Sequence, residues 1–489
     1  MAGIGFELRK MIGEGEGLVS KVRAYVSAGL ISSGPWIMTI LTLSGLSFVA
    51  RWLDRRADFE MFRALVTYAF AFSLVVVGVV QMAVTRRVAD QLYGGRYDRV
   101  LPAFLACSTV VGAVQAVIGA LFTWIAGLEP GLAAVTVVLY VIVSLTWLAL
   151  IWLSVTREHD EVFRAYLYGM AVSLLVLAVV GLDRGAVGLV GAYACGQALT
   201  YAMLFRVIVR GMNASGKRDF SVFRAIPEFP QLVGVGLVYN LAIWIDKMVF
   251  WFVDGMGPHP WIRFHPLYDT TTFLAYLTVV PALAVNLVLV ETTFYEYYRA
   301  YYGAILGGQP LSEIVRRRER MFEQMRYGAV RLIRVQGALT ALLILVAPGL
   351  MRWLDLPEAA IGIFRLACLG AFFHVLLLVT ILMQLYFDLR SAALRTCVVF
   401  LLLNGGLAIW SVDFGIETYG LGYAAATLVA LVVGYGQLSR ALRHLDFLTF
   451  TGQPIAPATI EHEVAEQAIA RAEEEAEAEA ASHAATAAR

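Results

Sequence analysis

Residues 239–251, YNLAIWIDKMVFW, set an acid and a base side by side inside an apolar run. The run spans 232–253, and crossing a bilayer takes roughly 20 apolar residues, so Asp246 and Lys247 fall at membrane depth. A lone charge there costs about 2.5 kcal/mol or more even on lenient insertion scales, so such residues face a bundle interior or a wet cavity. Seven residues make about two helical turns, which places Tyr239 under Asp246 and Asn240 under Lys247 as one polar stripe. Adjacent helical residues point about 100° apart, so each charge is expected to find its main partner on a different helix. Two roles stay open, an ion pair that fixes helix register and a lining of a cargo path.

The composition around this stretch is that of an integral membrane protein. The chain has 489 residues, 60% hydrophobic and 15% charged, with mean hydropathy +0.72; a soluble domain is about half apolar and about a quarter charged. The net charge of +1 favours neither nucleic acid nor an acidic partner, so only local charge placement is informative. Cys107, Cys195, Cys368 and Cys397 lie far apart in apolar runs and spell no metal or redox motif. The polar, Gly-rich N-terminus does not read as a removable signal peptide.

Apolar runs recur at 24–49, 63–85, 100–126, 132–155, 163–182 and 185–205, and again at 232–253, 267–290, 327–350, 360–387, 391–412 and 416–440. The expected fold is therefore an all-α membrane protein of about twelve transmembrane helices in two six-helix bundles around a central cavity. Residues 1–23 form an N-terminal segment, 24–205 the first bundle, 206–230 a basic linker, 231–440 the second bundle, and 441–489 an Ala/Glu-rich tail without an apolar stripe. Loops after spans two, six and eight are rich in Arg and Lys. That bias predicts that they and both termini are cytoplasmic. Arg51, Arg55 and Arg56, after span one, are an exception partly offset by Asp54, Asp58 and Glu60.

Other candidates follow from helix chemistry. Pro35, in SSGPW (32–36), lacks an amide hydrogen and clashes with the Ile31 carbonyl; Gly34 and Pro35 mark either a broken helix beside a cavity or a kink buffered by Ser32 and Ser33. Spans two to six are nearly free of charge and rich in small residues, as close packing in lipid prefers. In the second half, span eight carries Asp269 near its outer end, three threonines and Pro281, another kink candidate, while His374 lies near the middle of span ten and Arg365 about two turns further out. Tyr295, Tyr298 and Tyr302 recur at helical spacing in the loop 291–326, followed by Arg316, Arg317 and Arg318. They read as a cytoplasmic amphipathic segment lying at the headgroups or docking a partner.

Catalytic signals are missing. GMNASGKR (211–218) has phosphate-loop spacing, but Arg218 stands where a Ser or Thr must hold the metal, and a membrane helix precedes it. No HExxH or GxSxG occurs, and no soluble stretch suffices for a glycosyltransferase domain. Neither an enzyme nor a cofactor or metal is expected.

MAGIGFELRK at the start, AGLISSGPW (28–36), YNLAIWIDKMVFW, YYGAILGG (301–308) and FDLR (387–390) together resemble the PelG family, inner-membrane transporters of the bacterial Pel exopolysaccharide system. The resemblance runs from Met1 to about Phe450 and leaves out the tail. It implies a polysaccharide flippase of the multidrug/oligosaccharidyl-lipid/polysaccharide superfamily, with alternating access and with PelD, PelE and the glycosyltransferase PelF as partners. The cargo it implies is a polymer of N-acetylated amino sugars, largely uncharged in transit. Such a cargo suits an aromatic, hydrogen-bonding path, for which Tyr239, Asn240, Trp244 and Trp251 are candidates beside Asp246, Lys247, Asp269 and His374. The rival expectations are a cation-coupled antiporter using Asp246 or His374, and a scaffold that activates a glycosyltransferase and moves nothing.

Overall fold

The computed structural model describes residue 42 and residues 56–153, 159–211 and 217–451. Among these, eleven helices are long and apolar enough to cross a membrane, and they correspond to spans two to twelve. The expected first span, with Gly34 and Pro35, lies outside the described residues, as do Arg51, Arg55 and most of the phosphate-loop look-alike. The chain divides into two compact units, Met1–Tyr435 and Gly436–Arg489. Within the second, the described residues are helical to Thr451; everything below concerns the first.

Five spanning helices make the first set: α1 (Arg56–Tyr93), α2 (Val100–Ile125), α3 (Pro130–Leu153), α4 (His159–Val176) and α5 (Gly185–Arg210). The second set opens with α6 (Pro230–Val253), whose first turn contains Pro230, a position where the missing amide hydrogen costs nothing. Span eight is two helices, α7 (Pro266–Leu277) and α8 (Val280–Val288). Its break falls just ahead of Pro281, which sits in the first turn of α8 where its ring no longer opposes a preceding helical carbonyl. Then come α9 (Tyr295–Leu306), α10 (Leu311–Trp353), α11 (Ala359–Tyr386), α12 (Arg390–Val412) and α13 (Leu421–Arg443).

At about 1.5 Å per residue the 43-residue α10 is roughly 65 Å long, twice the about 30 Å hydrocarbon core. The segment read as an amphipathic loop is thus a helical hairpin, α9 against the first turns of α10. Gly308 turns the chain between them with φ +61°, a conformation open to glycine without strain.

Among the described residues the all-helical expectation has one local exception, a two-stranded antiparallel hairpin of β1 (Met256–His259) and β2 (Ile262–Phe264) that joins α6 to α7. Prolines at 258 and 260 stop the helix. At Gly257 any Cβ would overlap the Ile262 carbonyl, so the tight pairing demands glycine there.

Each set builds its own apolar core, and that of the first also takes in Trp251, Ile262 and Phe264 from the second. One cluster joins α1, α3 and α5 around Phe62, Leu139 and Tyr193, and another joins α1 to α5 around Phe104 and Trp152. Small residues let helices approach: α4 and α5 meet where a Cβ on Gly169 or Gly196 would overlap the facing backbone, as expected for packing in lipid. In the second set, α6, α11, α12 and α13 share a core around Phe400 and Tyr423, while α7, α10 and α11 share one around Phe364 and Met351.

Among the described residues the sets meet chiefly along one seam, α1 against antiparallel α6. From the end bearing the Arg-rich loops, Arg87 pairs with Glu228 and Ala83 packs on Phe229 and Leu232. Further along, Gly78 meets Gly236 so closely that a Cβ on either would overlap the other's carbonyl. Then the Asn240 side-chain amide donates to the Leu74 carbonyl at 3.2 Å, and Tyr68 stacks on Trp251 with centroids 5.1 Å apart.

Candidate functional site

The polar stripe on α6 divides between two faces. Asn240, Trp244 and Trp251 look towards the first set: Asn240 binds α1, and Trp244 and Trp251 pack with the apolar core of α1, α3 and α5. Tyr239, Asp246 and Lys247 look into the second set. The Trp244 indole N–H is buried without a hydrogen-bond partner among the described residues.

Asp246 and Lys247 are 1% and 5% exposed. The Lys247 ammonium donates to the Asp246 carboxylate at 3.2 Å, to the Ile243 carbonyl one turn back at 3.2 Å, and to the Tyr276 hydroxyl at 3.0 Å. Tyr268 donates to the Asp246 carboxylate at 2.6 Å. The expectation that each charge pairs mainly on a different helix is therefore corrected. The two charges pair with each other, and their tyrosine partners share one helix, α7. A lysine stem has enough torsional freedom to fold back along its own helix, and a buried ion pair is tolerable only when its remaining hydrogen-bonding capacity is filled.

Aromatic rings enclose the ammonium. Tyr276 lies 4.9 Å from it, Trp244 5.8 Å, Tyr423 5.9 Å and Tyr268 6.0 Å, centroid to nitrogen. All are within cation–π range. His374 extends the network: its Nε2 is 3.0 Å from the Tyr239 hydroxyl and its Nδ1 2.7 Å from the Tyr423 hydroxyl. Tyr276 stands edge-on to Tyr423 with centroids 5.7 Å apart. A line of polar contacts thus joins α6, α7, α11 and α13.

Asp269 occupies a separate position. It accepts from the Trp251 indole, both carboxylate oxygens lying 3.0 Å away, and from the His265 amide at 3.0 Å. It holds the very ring that stacks on Tyr68 at the seam.

Residues expected at a docking face are partly engaged within the chain. Tyr298 and Tyr302 pack ring to ring at 4.6 Å, and the Tyr298 hydroxyl donates to the Tyr386 carbonyl. Burial and the neighbouring Tyr302 raise the Tyr298 phenol above its ordinary pKa. Arg317 bridges Glu313 and the Ala300 carbonyl, tying α10 to α9. Arg316 pairs with Glu313 but stays exposed, Arg318 lies over Phe322, and Tyr295 is half-buried. Arg365 reaches the Ile344 carbonyl of α10 at 3.1 Å.

Sequence reasoning did not single out Tyr68, Tyr268, Tyr276 or Tyr423. The last three sit in ordinary apolar runs, and nothing local distinguishes a tyrosine that binds a buried charge from one that packs. For Tyr268 a usable signal was adjacency to Asp269 at the start of a helix.

A family model for PelG, a candidate exopolysaccharide exporter (EPS-E), matches residues 1–450. No curated protein matches the sequence. Among solved structures, an outward-facing multidrug resistance MATE family transporter of the MOP superfamily aligns with TM-score 0.60 at 14% identity, over 86% of this chain and 96% of that one. An inward-facing structure from the same family aligns with TM-score 0.55 at 11% identity, over 83% and 94%. A MATE in complex with MaL6 aligns with TM-score 0.59 at 13% identity, over 86% and 96%. The chain therefore has a MATE-like fold and is a multi-pass membrane protein.

Proposed function

Since the chain belongs to the PelG family of exopolysaccharide exporters, we propose that it carries a Pel-type polymer of amino sugars out of the cytoplasm by alternating access, as a transporter rather than an enzyme. Its location in this reading is the bacterial inner membrane, with both termini and the Arg-rich loops cytoplasmic. The domain boundaries proposed are those of the two halves, 24–205 and 231–440, joined by 206–230, with 1–23 and 441–489 flanking them.

The observation that supports this most is the seam. Among the described residues the halves meet chiefly along one helix pair, α1 and α6, whose closest approach is glycine on glycine, and the β1–β2 hairpin after α6 adds Ile262 and Phe264 to the first core. An interface of that kind can part with most of each core left packed, once Trp251, Ile262 and Phe264 leave the first. Asn240, Trp244 and Trp251 line it, and Trp244 offers an unpaired indole N–H suited to a sugar hydroxyl. Asp246, Lys247 and His374 act instead within the second half, holding α6 to α7 and α13 as one body, and Asp269 steadies Trp251 beside the path. The α9–α10 hairpin, with Arg316 exposed, is the proposed contact for the glycosyltransferase PelF, with PelD and PelE alongside.

Arg87→Cys with Glu228→Cys tests this, because the tips of the native side chains meet at 3.3 Å across the seam, a gap between backbones that a bis-maleimide with a cleavable disulfide in its linker spans where a direct disulfide would not. Crosslinking that pair in cells should stop polymer secretion and cleaving the linker by reduction should restore it. Secretion that continues with the halves bonded together points to a scaffold instead. The Lys247–Tyr276 and Tyr423–His374–Tyr239 contacts favour a second reading, cation-coupled antiport of small solutes, which requires uptake into vesicles driven by an ion gradient.

A further inference from the structure

The β1–β2 hairpin belongs by sequence to the second half, yet its inner side is seated in the first. Ile262 and Phe264, 0% and 3% exposed, are part of the core built by α1, α3 and α5. The Arg63 guanidinium of α1 lies over the Phe264 ring at 4.6 Å. Tyr68, also of α1, uses one hydroxyl twice on the same residue: it donates to the Arg263 carbonyl at 3.0 Å and accepts from the Arg263 amide at 3.1 Å. Its ring meanwhile covers Trp251, in the last turn of α6 before the hairpin. Arg263 in turn donates to the Gly255 carbonyl and closes the hairpin at its base.

The opposite end of the seam is closed by weaker chemistry. Among the described residues the cross-seam ion pair there is Arg87 with Glu228, whose side chains are 30% and 46% exposed, over a small cluster of Ala83, Ala225, Phe229 and Leu232. An exposed ion pair adds little, whereas buried side chains and paired backbone groups must all be given up for separation to occur.

We propose that the β1–β2 hairpin is a strap that seals the path at the end opposite the Arg-rich loops, with Tyr68 as its catch, and that Ile262 and Phe264 leave their seat each time the path opens to that side. This rests on the alternating-access reading and adds to it the gate residues at that end. It also sets an order: the Arg-rich end, with the weaker closure, is the end that opens more readily at rest.

The test is thiol labelling in a background with Cys107, Cys195, Cys368 and Cys397 replaced by Ala. Asn240→Cys, in mid-seam, reports access from the strap end to a membrane-impermeant maleimide, and Glu228→Cys reports the other end. Tyr68→Phe removes both hydrogen bonds and keeps the stacked ring; it should speed labelling at 240 by about five- to thirtyfold, the effect of one or two hydrogen bonds, without speeding it at 228. Ile262→Ala should act in the same direction. Unchanged labelling at 240 in both variants overturns the strap, and so does an equal rise at both reporters, which marks general loosening. Labelling reads the strap independently of cargo: if 240 responds while even the parent secretes no polymer, the export reading fails and the strap stands.

Discussion

Lys247 folds back on its own helix so that its ammonium lies 3.2 Å from the carboxylate of Asp246, the residue before it. Two buried charges become mutually tolerable because tyrosines fill the remaining hydrogen-bond positions and aromatic rings surround the cation. Such a pair is weak evidence for stability, but breaking it is costly.

Lys247→Met or Asp246→Leu alone leaves the other charge buried without its counter-ion and should destabilise the protein by about 3–5 kcal/mol. The double variant should lose much less than the sum. Thermal unfolding in detergent and protein level in the membrane measure this. Asp246→Asn and Lys247→Met with normal folding and normal export would remove any role for the pair.

His374→Phe strips a partner from the half-buried Tyr239 and the buried Tyr423, at about 1–3 kcal/mol for each group left unsatisfied. His374→Gln should recover part of the loss, since an amide can still meet one of them. A loss equal for Phe and Gln argues that packing, not hydrogen bonding, is what His374 supplies.

Gly236→Ala should be damaging because its Cβ would strike the Gly78 carbonyl across the seam, whereas nothing lies within 4 Å of a Cβ built at Gly303. Gly303→Ala in α9 should be neutral or stabilising by up to about 1 kcal/mol, the helix-propensity gain. Parallel unfolding curves decide this. If the two variants match, the seam is slack at its closest point.

Glu228→Gln breaks an exposed ion pair, so it should change stability by less than about 1 kcal/mol. Its effect belongs in the resting balance of the transporter, as faster labelling of a seam cysteine from the Arg-rich end. A large fall in melting temperature without faster labelling contradicts that assignment.

Much of this was legible beforehand. The spans from the second to the twelfth could be drawn because runs of about 20 apolar residues have few alternatives to membrane helices, and Pro281 marked the break in span eight because its chemistry is local. The site was only half legible. Asp246, Lys247, Asp269 and His374 stood out as polar groups where polar groups are costly, yet a side chain's cost does not name its partner. Tyr68, Tyr268, Tyr276 and Tyr423 are ordinary until a neighbouring helix presents a carboxylate, an ammonium or an imidazole to each hydroxyl. The hairpin was missed because strands of three or four residues are too short to show alternation.

From the sequence alone came what depends on composition and neighbours along the chain: a membrane protein, its spans, its family resemblance, and the two charges at depth in YNLAIWIDKMVFW. The tertiary structure alone decided which way each side chain on that helix faces. Asn240, Trp244 and Trp251 meet the other half, while Asp246 and Lys247 turn inward and join each other. The reason is physical: helical periodicity fixes which residues share a face, but the face each one buries is set by the helices packed around it, and those contacts lie tens to hundreds of residues away.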